Sequence, residues 1–195
     1  AELDATIEAA RRTAELMSAA GASVFVTSAV TDWEWGPRQE LTSDDWNFAA
    51  KTLSIVDDIL GEFGMTQAIH PHLRTVVETR ADIESLLDVS DVGWTFDMGH
   101  MQIGGMDPLE FIDVAFDRIR HVHLKDVVMD LARPVFAGDC SIMDGVQAGM
   151  FCNLGRGDVQ IGAIVTELEA RGYNQWYVLE QDAAITASEP AVGAG

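Results

Sequence analysis

R-H-V-H-L-K-D-V, residues 120–127, alternates in the manner of a strand, with His121, His123 and Lys125 on one face and Val122 and Leu124 on the other. A face of imidazole and ammonium groups suits the mouth of a site better than an ordinary core. Each of these residues also has a structural reading, as a hydrogen-bonded core histidine or as a lysine whose head snorkels to water. Three other strand-like runs end in similar residue types: A-I-H-P-H at 68–72, T-F-D-M-G-H at 95–100 and Y-V-L-E-Q-D at 177–182.

Helix and strand signals alternate outward from that stretch. Leu3, Ile7, Ala10, Ala14 and Met17 recur at helical spacing before Gly21, and residues 23–30 read as a strand. Residues 31–41 form an aromatic-rich loop with Trp33, Trp35, Gly36 and Pro37, which either covers a ligand or packs over a rim. Ser43 is the expected N-cap of a helix with Asp44 and Asp45 in its first turn and an apolar stripe from Trp46 to Phe63. A strand at 65–69 leads to His70, Pro71 and His72. Thr79 and Asp82 open a shorter helix, and a strand at 92–96 ends at Asp97. Asp107, Pro108 and Glu110 supply a cap, a first-turn proline and a capping acid for the next helix. The glycine-scattered stretch 127–157 is expected to be functional or partly helical. Asp158 is the expected cap of a last helix, and residues 175–180 are the last strand. Strand then helix, repeated, describes a parallel sheet wrapped by helices, whose sites lie at the strand C-termini. Asp97, His123 and Glu180 fall there, joined by His70.

A chain of 195 residues, 48% hydrophobic, can bury one core, so a single soluble domain is expected. Its 12 Lys+Arg against 32 Asp+Glu give a formal charge of -20, which argues against DNA, RNA and anionic membrane surfaces as partners. Cys140 and Cys152 lack zinc-finger or redox spacing and read as reduced thiols. With no membrane-length apolar run and no leader pattern, a cytoplasmic location is expected. Carboxylates with imidazoles offer a mixed oxygen and nitrogen shell that suits Mn, Co, Fe or Zn, and a metal so held acts as a Lewis acid on a substrate carbonyl. The same residue types at strand ends also occur in metal-free sugar and phosphate enzymes.

H-P-H-L-R-T-V-V-E-T (70–79), D-M-G-H (97–100), G-G-M-D-P (104–108), R-I-R-H-V-H-L-K-D-V (118–127), G-M-F-C-N-L-G-R-G-D-V (149–159) and G-Y-N-Q-W-Y-V-L-E-Q-D (172–182) together resemble the inosose dehydratases of the xylose-isomerase-like TIM-barrel superfamily. The resemblance implies an α/β fold of the (β/α)8 type with about five strands present, the N-terminal strands and last helix missing. It implies a partial TIM-barrel catalytic domain over 1–182, while residues 183–195, rich in Ala, Gly and Pro, read from composition as a disordered tail. It implies a divalent metal, Mn or Co first and Zn or Fe as alternatives, held by Asp97, His123 and Glu180. The first ligand is assigned to His70, with His72 and Glu78 as rivals. The implied activity is dehydration of 2-keto-myo-inositol, a cyclic polyol ketone. Glu180 or Lys125 would be the base, and His72 or His100 would protonate the departing hydroxide. His100 has an alternative role, to buttress a metal ligand. Epimerisation or isomerisation of a keto sugar and a non-catalytic remnant are the alternatives, and a homo-oligomer is possible for either enzyme. Arg74 and Met98 depart from the family's usual Gly and Thr.

Overall fold

The computed structural model describes residues 2–31 and 39–184. The aromatic-rich loop with Trp33, Trp35, Gly36 and Pro37 and the tail from residue 185 lie outside the described residues. Helix α1 (Glu2–Ala19) precedes β1 (Val24–Thr27), α2 (Ser43–Glu62) precedes β2 (Thr66–Ile69), and α3 (Arg80–Val89) precedes β3 (Gly93–Asp97). Two short helices, α4 (Met98–Ile103) and α5 (Pro108–Ala115), then lead to β4 (Ile119–Leu124). After β5 (Asp126–Val127), α6 (Met129–Ala137), α7 (Ile142–Gln147), β6 (Phe151–Cys152) and α8 (Ile161–Ala170), the chain returns as β7 (Tyr177–Leu179).

Five strands form one all-parallel sheet in the order β1-β2-β3-β4-β7, half of a barrel, while β5 and β6 pair as a separate two-stranded antiparallel ladder that follows β4. The strand candidates therefore make the main sheet in chain order, and the crossovers carry the helices. All five residues of β3 are buried, as expected for a parallel strand covered on both faces. Trp94 and Phe96 point to the helix layer and meet Phe111 of α5 at ring distances of 5.3 and 5.7 Å. Thr95 and Asp97 take the opposite face. In the register between β3 and β4, Asp97 lies beside His123, and His123 in turn lies beside Val178 of β7. Period-2 alternation thus lines up Asp97, His123 and Glu180 on the inner face of the half-barrel.

The helix starts differ from expectation at two places. Thr42, not Ser43, caps α2: its hydroxyl accepts from Asp45 N, and Asp45 Oδ2 accepts from Thr42 N at 2.9 Å. Asp158 does not cap α8, which starts after Gln160; its carboxylate accepts instead from Met129 N at 2.7 Å and ties α6 to the loop before α8. Thr79 with Asp82, and Asp107 with Pro108, cap α3 and α5 as their spacing suggests, although Glu110 turns outward to Arg80. The irregular stretch resolves into α6 and α7, enclosed by the β5–β6 pair, with Ser141 and Asp144 forming a capping box for α7. No helix among the described residues is long and apolar enough to cross a membrane.

Candidate metal centre

His70 follows the last residue of β2, Asp97 ends β3, His123 lies near the end of β4 and Glu180 follows β7. One ligand atom from each lies within 4.8 Å of all the others. His70 Nε2 is 3.2 Å and His123 Nδ1 3.4 Å from Asp97 Oδ2, and His123 Nδ1 is 2.5 Å from Glu180 Oε2. Asp97 is fully buried, and its other oxygen accepts from His100 N at 2.9 Å, so the strand end doubles as the N-cap of α4 and its carboxylate cannot turn away.

Electrostatics favours the charged forms of Asp97, His123 and Glu180. Burial works against ionisation of Asp97, but His100, His123, His70 and Lys125 around it hold its carboxyl well below the usual carboxylate range. Burial likewise raises Glu180, and the neighbouring His123 and Lys125 bring it down to about 2. Burial lowers His123, yet Asp97 and Glu180 raise it to about 9. His123 Nδ1 and Glu180 Oε2 are nevertheless buried without an aligned hydrogen-bond partner. Donor atoms that converge so closely out of hydrogen-bond alignment suit a common cation, and the two-carboxylate, two-imidazole set fits a divalent ion of the Mn, Fe, Co or Zn kind.

Lys125 lies directly below, with no solvent exposure. Its Nζ is 3.1 Å from Glu180 Oε1 and 3.0 Å from Asp182 Oδ2, sits 4.6 Å from the Phe151 ring centroid, and donates to His100 Nε2 at 3.2 Å. Burial disfavours the ammonium, but Asp97, Glu180 and Asp182 raise Lys125 above its ordinary value and so favour the charged form. His100 is driven well below the ordinary histidine value by burial, and accepting from Lys125 at Nε2 places its proton on Nδ1, a buried atom with no hydrogen-bond partner. The His72 ring packs on His100 with centroids 3.9 Å apart, and its Nδ1–H donates to Leu73 O at 2.8 Å. Burial pulls His72 down as well, leaving a neutral ring whose basic lone pair is on Nε2.

His72 and Glu78 stand apart from the converging four: His72 lines the neighbouring cavity, and Glu78 Oε1 accepts from Arg74 N at 2.9 Å. His121, on the same face of β4, touches His123 edge-on at 5.1 Å but does not join the group. Two acids had no assigned role in the sequence. Asp182 pairs with Lys125, and Asp126, fully buried, accepts from the backbone N–H of Val127, Gly155, Arg156, Gly157 and Val159. The signal for the second was present in K-D-V followed by a G-R-G loop, a buried acid facing flexible backbone donors. Beside the centre opens a cavity of about 880 Å³ lined by His72, Arg74, His100, Gly138, Phe151 and Asp182 among others.

Comparison with known proteins places this geometry in context. A family model described as a xylose isomerase-like TIM barrel matches residues 1–194. The rhizopine catabolism protein MocC of Rhizobium meliloti is 36% identical over 147 residues, 74% of this chain and 45% of that protein. An inosose dehydratase of Geobacillus thermodenitrificans is 34% identical over 149 residues, 74% of this chain and 50% of that enzyme. The chain spans about half the length of the curated relatives it matches. Among solved structures, the probable 3-DHS dehydratase AsbF from Bacillus anthracis superposes with a TM-score of 0.73 at 18% identity, covering 94% of this chain and 66% of that one. The IOLI protein with a binding zinc atom superposes with a TM-score of 0.65 at 17% identity, covering 91% of this chain and 60% of that one. At such identities the likeness concerns the fold.

Proposed function

The chain belongs to the xylose isomerase-like TIM barrel family, and from that membership we propose that it is the metal-bearing part of a hydro-lyase that dehydrates a cyclic polyhydroxy ketone, with 2-keto-myo-inositol as the first candidate substrate. The observation that carries this reading is the convergence of His70, Asp97, His123 and Glu180 at the C-terminal edge of the parallel sheet, beside a cavity large enough for a six-carbon ring. The four would hold a divalent ion, Mn or Co first, which when bound supplies Lewis-acid polarisation of the ketone and acidifies the neighbouring C–H.

The chain's own residues then divide the proton work. Glu180, held near 2, is a ligand rather than a strong base, and Lys125 is an ammonium that offsets the two carboxylates and donates to His100. That leaves His72, neutral with its basic lone pair on Nε2, to take the proton alpha to the ketone. The same imidazolium returns that proton to the departing β-hydroxyl, so that water leaves and the carbon–carbon double bond formed tautomerises to the dione. His100, with its proton fixed on Nδ1, orients a substrate oxygen by hydrogen bonding.

Dione formation from 2-keto-myo-inositol, followed by ultraviolet absorbance with added Mn or Co, tests the reading. Product that depends on the metal and is lost in His72→Gln supports it. A product epimeric at the alpha carbon with no water lost would replace dehydration by epimerisation, and activity insensitive to chelation would overturn the metal's role.

A further inference from the structure

We propose that Arg74 reads an anionic substituent, a carboxylate or a phosphate, on the polyhydroxy ketone taken by the metal centre. This rests on the polyhydroxy-ketone class proposed above and narrows it, putting a ketone that carries an anionic group ahead of the neutral 2-keto-myo-inositol.

Arg74 has φ 63, the left-handed region that L-residues with long side chains rarely occupy. The surrounding loop imposes that conformation. Arg74 N donates to Glu78 Oε1 at 2.9 Å, His72 N to Val77 O at 3.0 Å and Thr75 Oγ1 to His72 O at 2.8 Å, while Leu73, Thr75, Val76 and Val77 are buried. The loop is fixed on both sides of Arg74, and its side chain lines the cavity that His72 and His100 connect to the metal centre.

The guanidinium is underused there. Nη2 donates to Val135 O at 2.9 Å, near the end of α6. Among the described residues no carboxylate forms an ion pair with it, in a chain with 32 Asp+Glu and 12 Lys+Arg. Arg11, Arg80, Arg133 and Arg171 have each found acids, whereas Arg118 and Arg120 donate to backbone carbonyls as Arg74 does but do not line this cavity. Among the described residues the one carboxylate in the cavity wall, Asp182, is engaged by Lys125. A planar fork of five donors with one used by a carbonyl is matched to a carboxylate or phosphate, which it can bind through two parallel bonds. A second polar group lies in the same wall. His100 is 3% exposed, lines the cavity and carries an Nδ1 without a hydrogen-bond partner.

The test uses the metal-loaded chain and three ketoses as calorimetric probes: D-fructose, 5-keto-D-gluconate, which adds a carboxylate, and D-fructose 6-phosphate. One of the two anions is expected to bind roughly 10-fold or more tighter than fructose, from the strength of charge-assisted hydrogen bonds, and the preferred one identifies the anion. Arg74→Gly suits the left-handed backbone, so it should fold, and should erase the preference, read as the ratio of anion to fructose affinity. If fructose binds and neither anion gains, or if Arg74→Gly keeps the preference, the proposal is overturned and Arg74 serves only to cap α6, with a lowered melting temperature as its sole effect. If none of the three binds although the metal is retained, the polyhydroxy-ketone reading falls and takes this proposal with it.

Discussion

Asp126→Asn is the substitution whose cost follows most directly from geometry. Asp126 Oδ2 accepts from Gly155 N (2.8 Å), Arg156 N (3.1 Å) and Gly157 N (2.9 Å), while Oδ1 accepts from Val127 N (2.9 Å) and Val159 N (3.1 Å). An amide keeps one oxygen. Its better orientation places NH2 at the Oδ1 position, facing the N–H groups of Val127 and Val159, both buried, so two donors lose their acceptor and meet another donor. Leaving a buried donor unsatisfied costs about 1–3 kcal/mol, so the pair should cost about 2–6 kcal/mol by the same principle. The loop backbone lies directly against the acid, close enough that a Cβ on Gly157 would overlap Asp126 Oδ1 and Val127 O. At about 2–4 °C per kcal/mol for a chain of this size, Asp126→Asn should melt at least roughly 4 °C lower. Amide exchange at Gly155, Gly157 and Val159 should accelerate more than exchange in β3. An unchanged melt with unchanged protection of those three amides would refute the reasoning that Asp126 clamps this loop.

Gly104→Ala should be strongly destabilising, by about 1–3 kcal/mol for a forced overpacking, because its Cβ would collide with the backbone oxygen of Glu78, and a chemical melt within error of the parent would contradict it. The metal-free chain should be most stable at mildly acidic pH. His123, raised from 6.5 to about 9, contributes fully below 6.5 and loses its contribution as pH rises through 9; Glu180, lowered from 4.5 to about 2, contributes above 4.5 and loses it as pH falls through 2. Melting temperature in chelator should therefore be highest between about pH 4.5 and 6.5, and a maximum at pH 9 would count against these pairings. Loading a divalent ion at pH 7 should expel the His123 proton, measurable as about one proton released per ion in weak buffer. Lys125→Met should leave Glu180 and Asp182 without their shared cation and abolish turnover with little change in size, so turnover near the parent's would remove Lys125 from the site.

The fold was legible where local chemistry and tertiary burial agree. The apolar stripe of α2, the capping pair Thr79 and Asp82, and the fully buried strand G-W-T-F-D each carry their signal in their own residues. The parity of β3 and β4 likewise put Asp97 and His123 side by side once the strands were taken as parallel neighbours. Other features depend on residues distant in the chain. Thr42 and Ser43 are equally good caps on paper, and only backbone geometry selects Thr42. Lys125 as a cation was not readable because its acids, Glu180 and Asp182, arrive more than fifty residues later on the neighbouring strand. In H-P-H the spacing gave His70 and His72 similar claims. The turn after β2 separates them, directing His70 to Asp97 and His72 against His100. Arg74 looked like a bulky neighbour of the site, and its left-handed backbone is invisible to any pattern of side chains.

Elemental analysis of the dialysed chain beside its Asp97→Asn variant addresses the metal centre most directly. Asp97 is the residue on which His70 and His123 both converge, and its exchange for Asn keeps an oxygen to cap α4. The parent should retain about one divalent ion per chain while the variant retains almost none. A folded parent that holds no ion after incubation with Mn, Co or Zn, or a variant that holds as much as the parent, would contradict the assignment of His70, Asp97, His123 and Glu180 as a metal site.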